Sequence, residues 1–141
     1  MEWKDVQKFH LNPHLVALPR IKEIDEEYEL QKKRLKNLNK SLHDHILSVY
    51  FSDPEILKHG WVIAINRFPY NLAKDLQHLV LWIHPERKFS DNDINGIVDD
   101  FMKKKGIKDY IFFCNLPNVK SINTIVHYQI IIKNPNTNSR L

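Results

Sequence analysis

Glycine and cysteine are the scarce residues of this 141-residue chain, which has three glycines and one cysteine. A lone Cys114 excludes an internal disulfide framework and a cysteine-rich zinc site, so a reducing compartment is expected, cytosol or nucleus. With so little glycine, an ordinary apolar fraction and charges of mixed sign, the chain is globular rather than disordered, collagen-like or coiled-coil. No apolar run approaches the roughly 20 residues that cross a bilayer. The start, Met1-Glu-Trp-Lys-Asp-Val6, lacks an apolar core and carries acidic residues, which is not the pattern of a secretory signal or transit peptide. Charge of one sign is also in short supply. The net charge of +4 attracts phosphates mildly but is not the concentrated basic stripe of a dedicated nucleic-acid binder.

At this length one domain is expected, spanning 1–133, with an irregular arm over 1–20 and a disordered tail over 134–141. The arm contains Pro13, Pro19 and scattered aromatics without a period. From Ile21, the residues Ile24, Tyr28, Leu35, Leu38, Leu42, Ile46 and Val49 recur at helical spacing and predict one long amphipathic helix over 21–49. Its acidic residues come early and its basic ones late, complementing the helix dipole. The charge run reads most simply as a solvated face.

Asp53-Pro54 and Gly60 bracket a short helix over 54–59. The period then changes to two. Residues 61–68 and 78–84 are rich in β-branched and aromatic side chains and read as adjacent antiparallel strands. Ser90 with Asp93 opens a helix over 91–105, closed by three lysines and Gly106. Residues 108–114 and 125–133 supply two further strands. The fold class is therefore α+β: an antiparallel sheet of about four strands with the long helix and the second helix packed on one face.

Two polar residues with chemical capability occupy alternate positions in the last strand. Tyr128, Ile130 and Ile132, with Val126, bury one face, while His127 and Gln129 project from the other. Upstream, Asn115 and Ser121 are residue types that bind anions or fix loops. On the strand 78–84, His78, Val80, Trp82 and His84 share a face, and if that face is continuous with His127 and Gln129, the uncovered side of the sheet is a shallow pocket of imidazoles, an indole and an amide. Such a lining suits a nucleotide or sugar. A histidine held at one ring nitrogen keeps a lone pair on the other near neutral pH and acts as a nucleophile, and a neighbouring Gln donates to a phosphoryl oxygen. A lone strand histidine is otherwise a hydrogen-bonded structural residue.

Other candidates are weaker. His43 and His45 flank Asp44, but residues two apart on a helix diverge and do not share an ion, so no metal and no cofactor is expected. Asn39-Lys-Ser41 matches a glycosylation sequon on a helix, which reads as incidental, and Cys114 reads as a buried strand cysteine.

Leu18-Pro-Arg20 with Tyr28, Ile65-Asn66-Arg-Phe-Pro-Tyr70, His78-Leu-Val-Leu-Trp82, Phe113-Cys-Asn115 and Ser121-Ile with His127 follow one another in an order that resembles the N-acetylglucosamine-induced protein 1 family of fungi, with relatives in other eukaryotes and large DNA viruses. The resemblance spans nearly the whole chain and implies a domain without an established activity. More distantly, a strand ending in Asn66-x-Phe-Pro, a strand opening with His78, a helix, then Asn115 and Ser121 ahead of His127-x-Gln129 is similar to the histidine-triad superfamily, especially its galactose-1-phosphate uridylyltransferase branch. That branch ends in His-x-His-x-Gln, and here Ile125 stands where the first His would be. The resemblance implies His127 as nucleotidylated nucleophile, Gln129 as phosphate ligand, and Asn115 and Ser121 as loop residues around the phosphates.

The leading expectation is a protein that binds a nucleotide or nucleotide-sugar through Gln129, Asn115, Ser121, His78, Trp82 and Asn66, with nucleotidyl hydrolase or transferase chemistry on His127. A non-catalytic relative that retains only the binding is part of that reading, because of Ile125. The alternative is an interaction protein that uses the charged helix 21–49. Nucleic acid ranks third and no membrane partner is expected.

Overall fold

The computed structural model of the protein describes residues 2–11, 20–114 and 125–133, and of residues 8–11 only the backbone. Asn115, Ser121 and the tail from Asn134 lie outside them. Among the described residues are five helices, α1 (Trp3–Leu11), α2 (Lys22–Asn37), α3 (Leu42–Tyr50), α4 (Pro54–His59) and α5 (Asp91–Lys105), and four strands, β1 (Trp61–Ile65), β2 (Leu76–Ile83), β3 (Asp109–Phe113) and β4 (His127–Lys133). The strands form one antiparallel sheet in the order β1-β2-β4-β3, as the α+β reading expects.

β2 and β4 are the central pair and are correspondingly buried on both faces, His78, His127 and Gln129 included. One face presents Leu79, Leu81, Ile83, Ile130 and Ile132 to Ile94, Val98 and Met102 of α5. At roughly 1.5–3 kcal/mol for each aliphatic side chain fully removed from water, this layer is the main favourable term of the fold. Both ends of α5 are written in sequence. Ser90 and Asp93 form a reciprocal capping box, and Gly106 at φ 70° closes the last turn in the left-handed region. Tyr128 packs against the same core; Val126, expected on this face, precedes the strand and is half exposed, and its carbonyl accepts the Ile83 N–H at 3.0 Å.

The opposite face is covered as well, which corrects the expectation of helices on one side only. Val6 of α1 is buried against Tyr70, Leu76, Ile111 and Ile131. Ile46 of α3 and the adjoining Phe51 pack on Val80, Trp82 and Ile125. The arm expected to be irregular is thus helical over Trp3–Leu11. Among its described side chains, Trp3 and Val6, three apart, are placed against that core, too short a pattern to announce a period.

The long helix over 21–49 is two helices. Asn39 sits at φ 53°, and the Lys40 N–H reaches back to the Leu35 carbonyl at 2.8 Å, closing α2 in the manner of a Schellman turn. Ser41 then caps α3 by accepting from the Asp44 N–H. Asn39-Lys-Ser41 is therefore a stop and a start rather than an incidental sequon on a helix. The apolar spacing continues through the break, from the buried Tyr28 and Leu35 of α2 past the exposed Leu38 to the buried Ile46 of α3, so periodicity alone reported one element.

Candidate functional site

The register of β2 and β4 decides which polar residues meet. Trp82 lies opposite His127 and Val80 opposite Gln129, while His78 lies opposite Ile131. Cross-strand partners in an antiparallel pair share a face, so all of these project toward α1, α2 and α3. Between that face and the helices is a cleft walled by Arg20, Tyr28, Gln31, His45, Tyr50 and Arg67 and floored by Asn66, Trp82, His127 and Gln129. The cavity proper is about 70 Å³, and the cleft out to solvent about 620 Å³. The inner volume holds a few waters or one phosphoryl-sized group, not a whole nucleotide.

The floor is set by two backbone N–H groups of one loop. Phe68 N–H donates to Asn66 Oδ1 at 2.8 Å, and Tyr70 N–H donates to His78 Nδ1 at 3.1 Å. Backbone donors cannot be exchanged, so Asn66 turns its NH₂ away from Phe68 and His78 carries its proton on Nε2. Both donors converge on Gln129 Oε1, at 3.3 Å from Asn66 Nδ2 and 2.5 Å from His78 Nε2. The 3.4 Å approach of Asn66 Nδ2 to His78 Nε2 brings two donors together and is a consequence of this shared acceptor rather than a bond. His78 is 2 % exposed, and burial, reinforced by the Arg20 charge, lowers its pKa to about 4 although the bond to Gln129 works the other way. It is neutral at pH 7.

His127 is held at Nδ1 by the Ile125 carbonyl, 2.9 Å away. With the proton there, the lone pair of the neutral ring is on Nε2. The ring lies against Trp82 at 4.9 Å between centroids, and Trp82 in turn stacks on Tyr50 at 5.5 Å. Trp82 is therefore committed to protein rings and 7 % exposed, which removes it as a stacking platform for a ligand base. Its indole N–H and the Tyr28 hydroxyl have no hydrogen-bond partner among the described residues.

The walls are cationic. Arg20 Nε donates to the Phe68 carbonyl at 2.7 Å and its guanidinium lies 5.1 Å from the Tyr28 ring centre, so the side chain is fixed in place. Its nearest acidic partner, Asp25, is 3.9 Å away and more than half exposed. Among the described residues, no carboxylate lines the cleft. Gln31 on α2 bonds to His45 on α3 at 3.2 Å, and burial, then Lys40, then Arg67 lower the His45 pKa. This bond also ties together the two helices that form the roof.

Of the residues expected from sequence, His127, Gln129, Trp82 and Asn66 line the cleft, and His78 lies behind Gln129 as its hydrogen-bond donor. Asn115 and Ser121 lie outside the described residues. His84, grouped with the polar face, instead packs edge-on against Phe51 and caps the following turn through Glu86 N–H. Cys114, expected to be buried, follows β3 and is exposed. Arg67, His45 and Gln31 were missed, because they arrive from three separate elements and nothing local marks them as converging. Among the described residues there is no group of three or more His, Cys, Asp or Glu side chains arranged for a metal, and no helix long and apolar enough to cross a membrane.

The profile of a family described as "Protein of unknown function (DUF3605)" matches residues 2–133. A solved structure of a protein named HTC1 is similar over 95 % of this chain and 85 % of its own, with a TM-score of 0.57 and 21 % sequence identity. At that identity the likeness speaks to the fold alone. No curated protein matches the chain.

Proposed function

We propose that this chain, which belongs to the DUF3605 family of proteins of unknown function, binds a nucleotide or sugar nucleotide in the cleft, with a phosphoryl group on the Gln129 floor. The observation that carries the reading is the charge and polarity of the lining: an amide whose oxygen is already engaged, two arginines, and no carboxylate. Anions are favoured where donors are fixed in advance and water is largely excluded. The 70 Å³ interior takes the phosphoryl group, and the sugar or base lies in the outer cleft between Tyr50, Arg67 and the roof helices. The resemblance of the sequence to the histidine-triad superfamily, which implies His127 and Gln129 at the phosphate, is in keeping with this reading.

Nucleotidyl transfer on His127 is the catalytic form of this reading. Nε2 attacks the α-phosphorus, a P–N bond forms, and the bond to the leaving phosphate oxygen breaks with its electron pair staying on that oxygen. Water then displaces the histidine, losing a proton to solvent. A phosphate leaving group needs no proton donor, which fits an Ile at position 125.

Thermal-shift titration with UMP, UDP, ADP, a uridine diphosphate sugar and uridine tests binding. A ligand at 100 times its Kd stabilises by about 2.7 kcal/mol. The phosphorylated compounds are expected to raise the melting temperature and uridine is not, with Arg20→Ala reducing the effect; no shift with any of them ends the proposal. Phosphorus NMR of the same mixtures, with His127→Asn as control, separates turnover from binding alone.

A further inference from the structure

We infer that His78 is a positioning residue: it fixes the side-chain amide of Gln129 with its oxygen inward and its NH₂ toward the cleft, so that the floor accepts an oxyanion and rejects a group that can only donate. This rests on the cleft being a ligand site. The argument starts from Tyr70, whose N–H occupies His78 Nδ1 and thereby commits Nε2–H to Gln129 Oε1. Asn66, itself fixed by Phe68 N–H, adds a second donor to the same oxygen. An amide rotated by half a turn would set its NH₂ against two donors, so only one orientation survives.

The NH₂ group that this leaves over has no bond among the described residues, and Gln129 lines the cleft. The local sequence explains the loop. In Asn66-Arg-Phe-Pro-Tyr70, the two N–H groups that set the tautomer and the amide flank Pro69, which has none to contribute. Across the cleft, Arg20 and Arg67 extend the same preference for anions, whereas His45, accepting from Gln31, is held neutral. The orientation of the floor amide is thus set by His78 behind it and Asn66 beside it, each fixed by a backbone N–H of one loop.

The test uses the whole chain, labelled with ¹⁵N, and UDP as probe. Long-range ¹H–¹⁵N correlation at pH 7 is expected to show His78 as the neutral Nε2–H tautomer; an Nδ1–H tautomer or an imidazolium overturns the inference whatever UDP does. On addition of UDP, the Gln129 side-chain NH₂ resonances are expected to shift. Gln129→Glu keeps the acceptor for His78 and Asn66 but turns an oxygen toward the cleft, and UDP binding is expected to weaken about tenfold or more, the loss of one hydrogen bond to a charged group. Equal UDP affinity in Gln129→Glu and wild type overturns the inference. His78→Phe is expected to weaken UDP similarly and to return the Gln129 NH₂ resonances toward those of a solvent-exposed amide, a readout that lost stability alone does not produce. Should His78→Phe not fold, the tautomer and Gln129→Glu still decide. If wild type binds neither UDP nor any other of the phosphorylated compounds, the proposed function fails, while the tautomer reports independently on whether His78 orients Gln129.

Discussion

The carbonyl oxygen of Ile125 lies 2.9 Å from Nδ1 of His127. Ile125 therefore serves the cleft through its backbone, while its side chain, 1 % exposed, is built into the core beside Ile46, Phe51, Val80 and Trp82. Its apolar character follows from that packing. An imidazole here would replace a branched aliphatic side chain in a cluster of aliphatic and aromatic ones.

Placing a histidine at this position is accordingly expected to destabilise rather than to activate. Ile125→Val removes one methylene and should cost about 1 kcal/mol, and Ile125→Ala about 2–5 kcal/mol. Ile125→His gives up that aliphatic packing and buries a polar ring, and falls in the same upper range. Urea denaturation measures all three. A stable Ile125→His variant with new turnover of a nucleotide substrate would contradict this.

His78 gives a stability profile with a defined sign. Its folded pKa, about 4, lies below its ordinary value of 6.5, so between these pH values the unfolded chain binds more protons than the native one. Stability therefore rises with pH through that window, is fully present above 6.5, and is lost as pH falls toward 4. The full effect is about 3 kcal/mol, from 1.36 kcal/mol per pH unit. Denaturant midpoints at pH 7, 5.5 and 4.5 should fall progressively in wild type, and the His78→Phe variant should show a shallower decline. Parallel profiles would assign the acid sensitivity elsewhere.

Much of the sheet was legible because its residues announce themselves locally. The bounds of α4 and α5 follow from Asp53, Pro54, Ser90 and Gly106, each of which satisfies or releases a particular backbone group. The face shared by His127 and Gln129 follows from the strand period. What the local pattern could not carry was whatever depends on two distant segments meeting. Trp82 looked like a stacking surface until the register set it beside His127 and the fold set it beside Tyr50. His78 looked like a ligand contact until the Tyr70 N–H was found on its Nδ1. Arg67 adjoins Asn66 and His45 follows His43-Asp44 in sequence, but that the two side chains meet at one cleft is a tertiary fact.

Gly60 closes α4 at φ 82°, and a Cβ there would lie 2.7 Å from Arg87 Cγ and 2.9 Å from its Cζ and Nη1. Two separable costs follow. Left-handed backbone in a residue with a Cβ costs about 1–2 kcal/mol. The contact with Arg87 adds to this, because that side chain is held by its bond to the Lys58 carbonyl at 3.2 Å. Gly60→Ala is expected to lose more than the backbone term, and the Gly60→Ala, Arg87→Ala pair should recover the contact part only. A double-mutant cycle in urea gives the division. If the pair is as stable as Arg87→Ala alone, the backbone argument is wrong.

The break between α2 and α3 reverses the sign of a substitution. In a single helix over 21–49, Asn39→Ala would be a better helix former and gain about 0.5 kcal/mol. With Asn39 at φ 53°, where Ala is strained and Asn is tolerated, the same change is expected to cost about 1 kcal/mol instead. Asn39→Gly, which relieves that strain, should be neutral or slightly stabilising. Ser41→Ala removes the oxygen that accepts the Asp44 N–H and should cost about 1 kcal/mol. The turn also matters for the cleft, since it folds α3 back so that His45, Ile46 and Tyr50 roof the floor residues. Variants that weaken the turn should therefore lose nucleotide affinity along with stability, although none of the altered residues lines the cleft. Chemical denaturation of the three variants reads the signs directly, and a gain of stability in Asn39→Ala would restore the continuous helix.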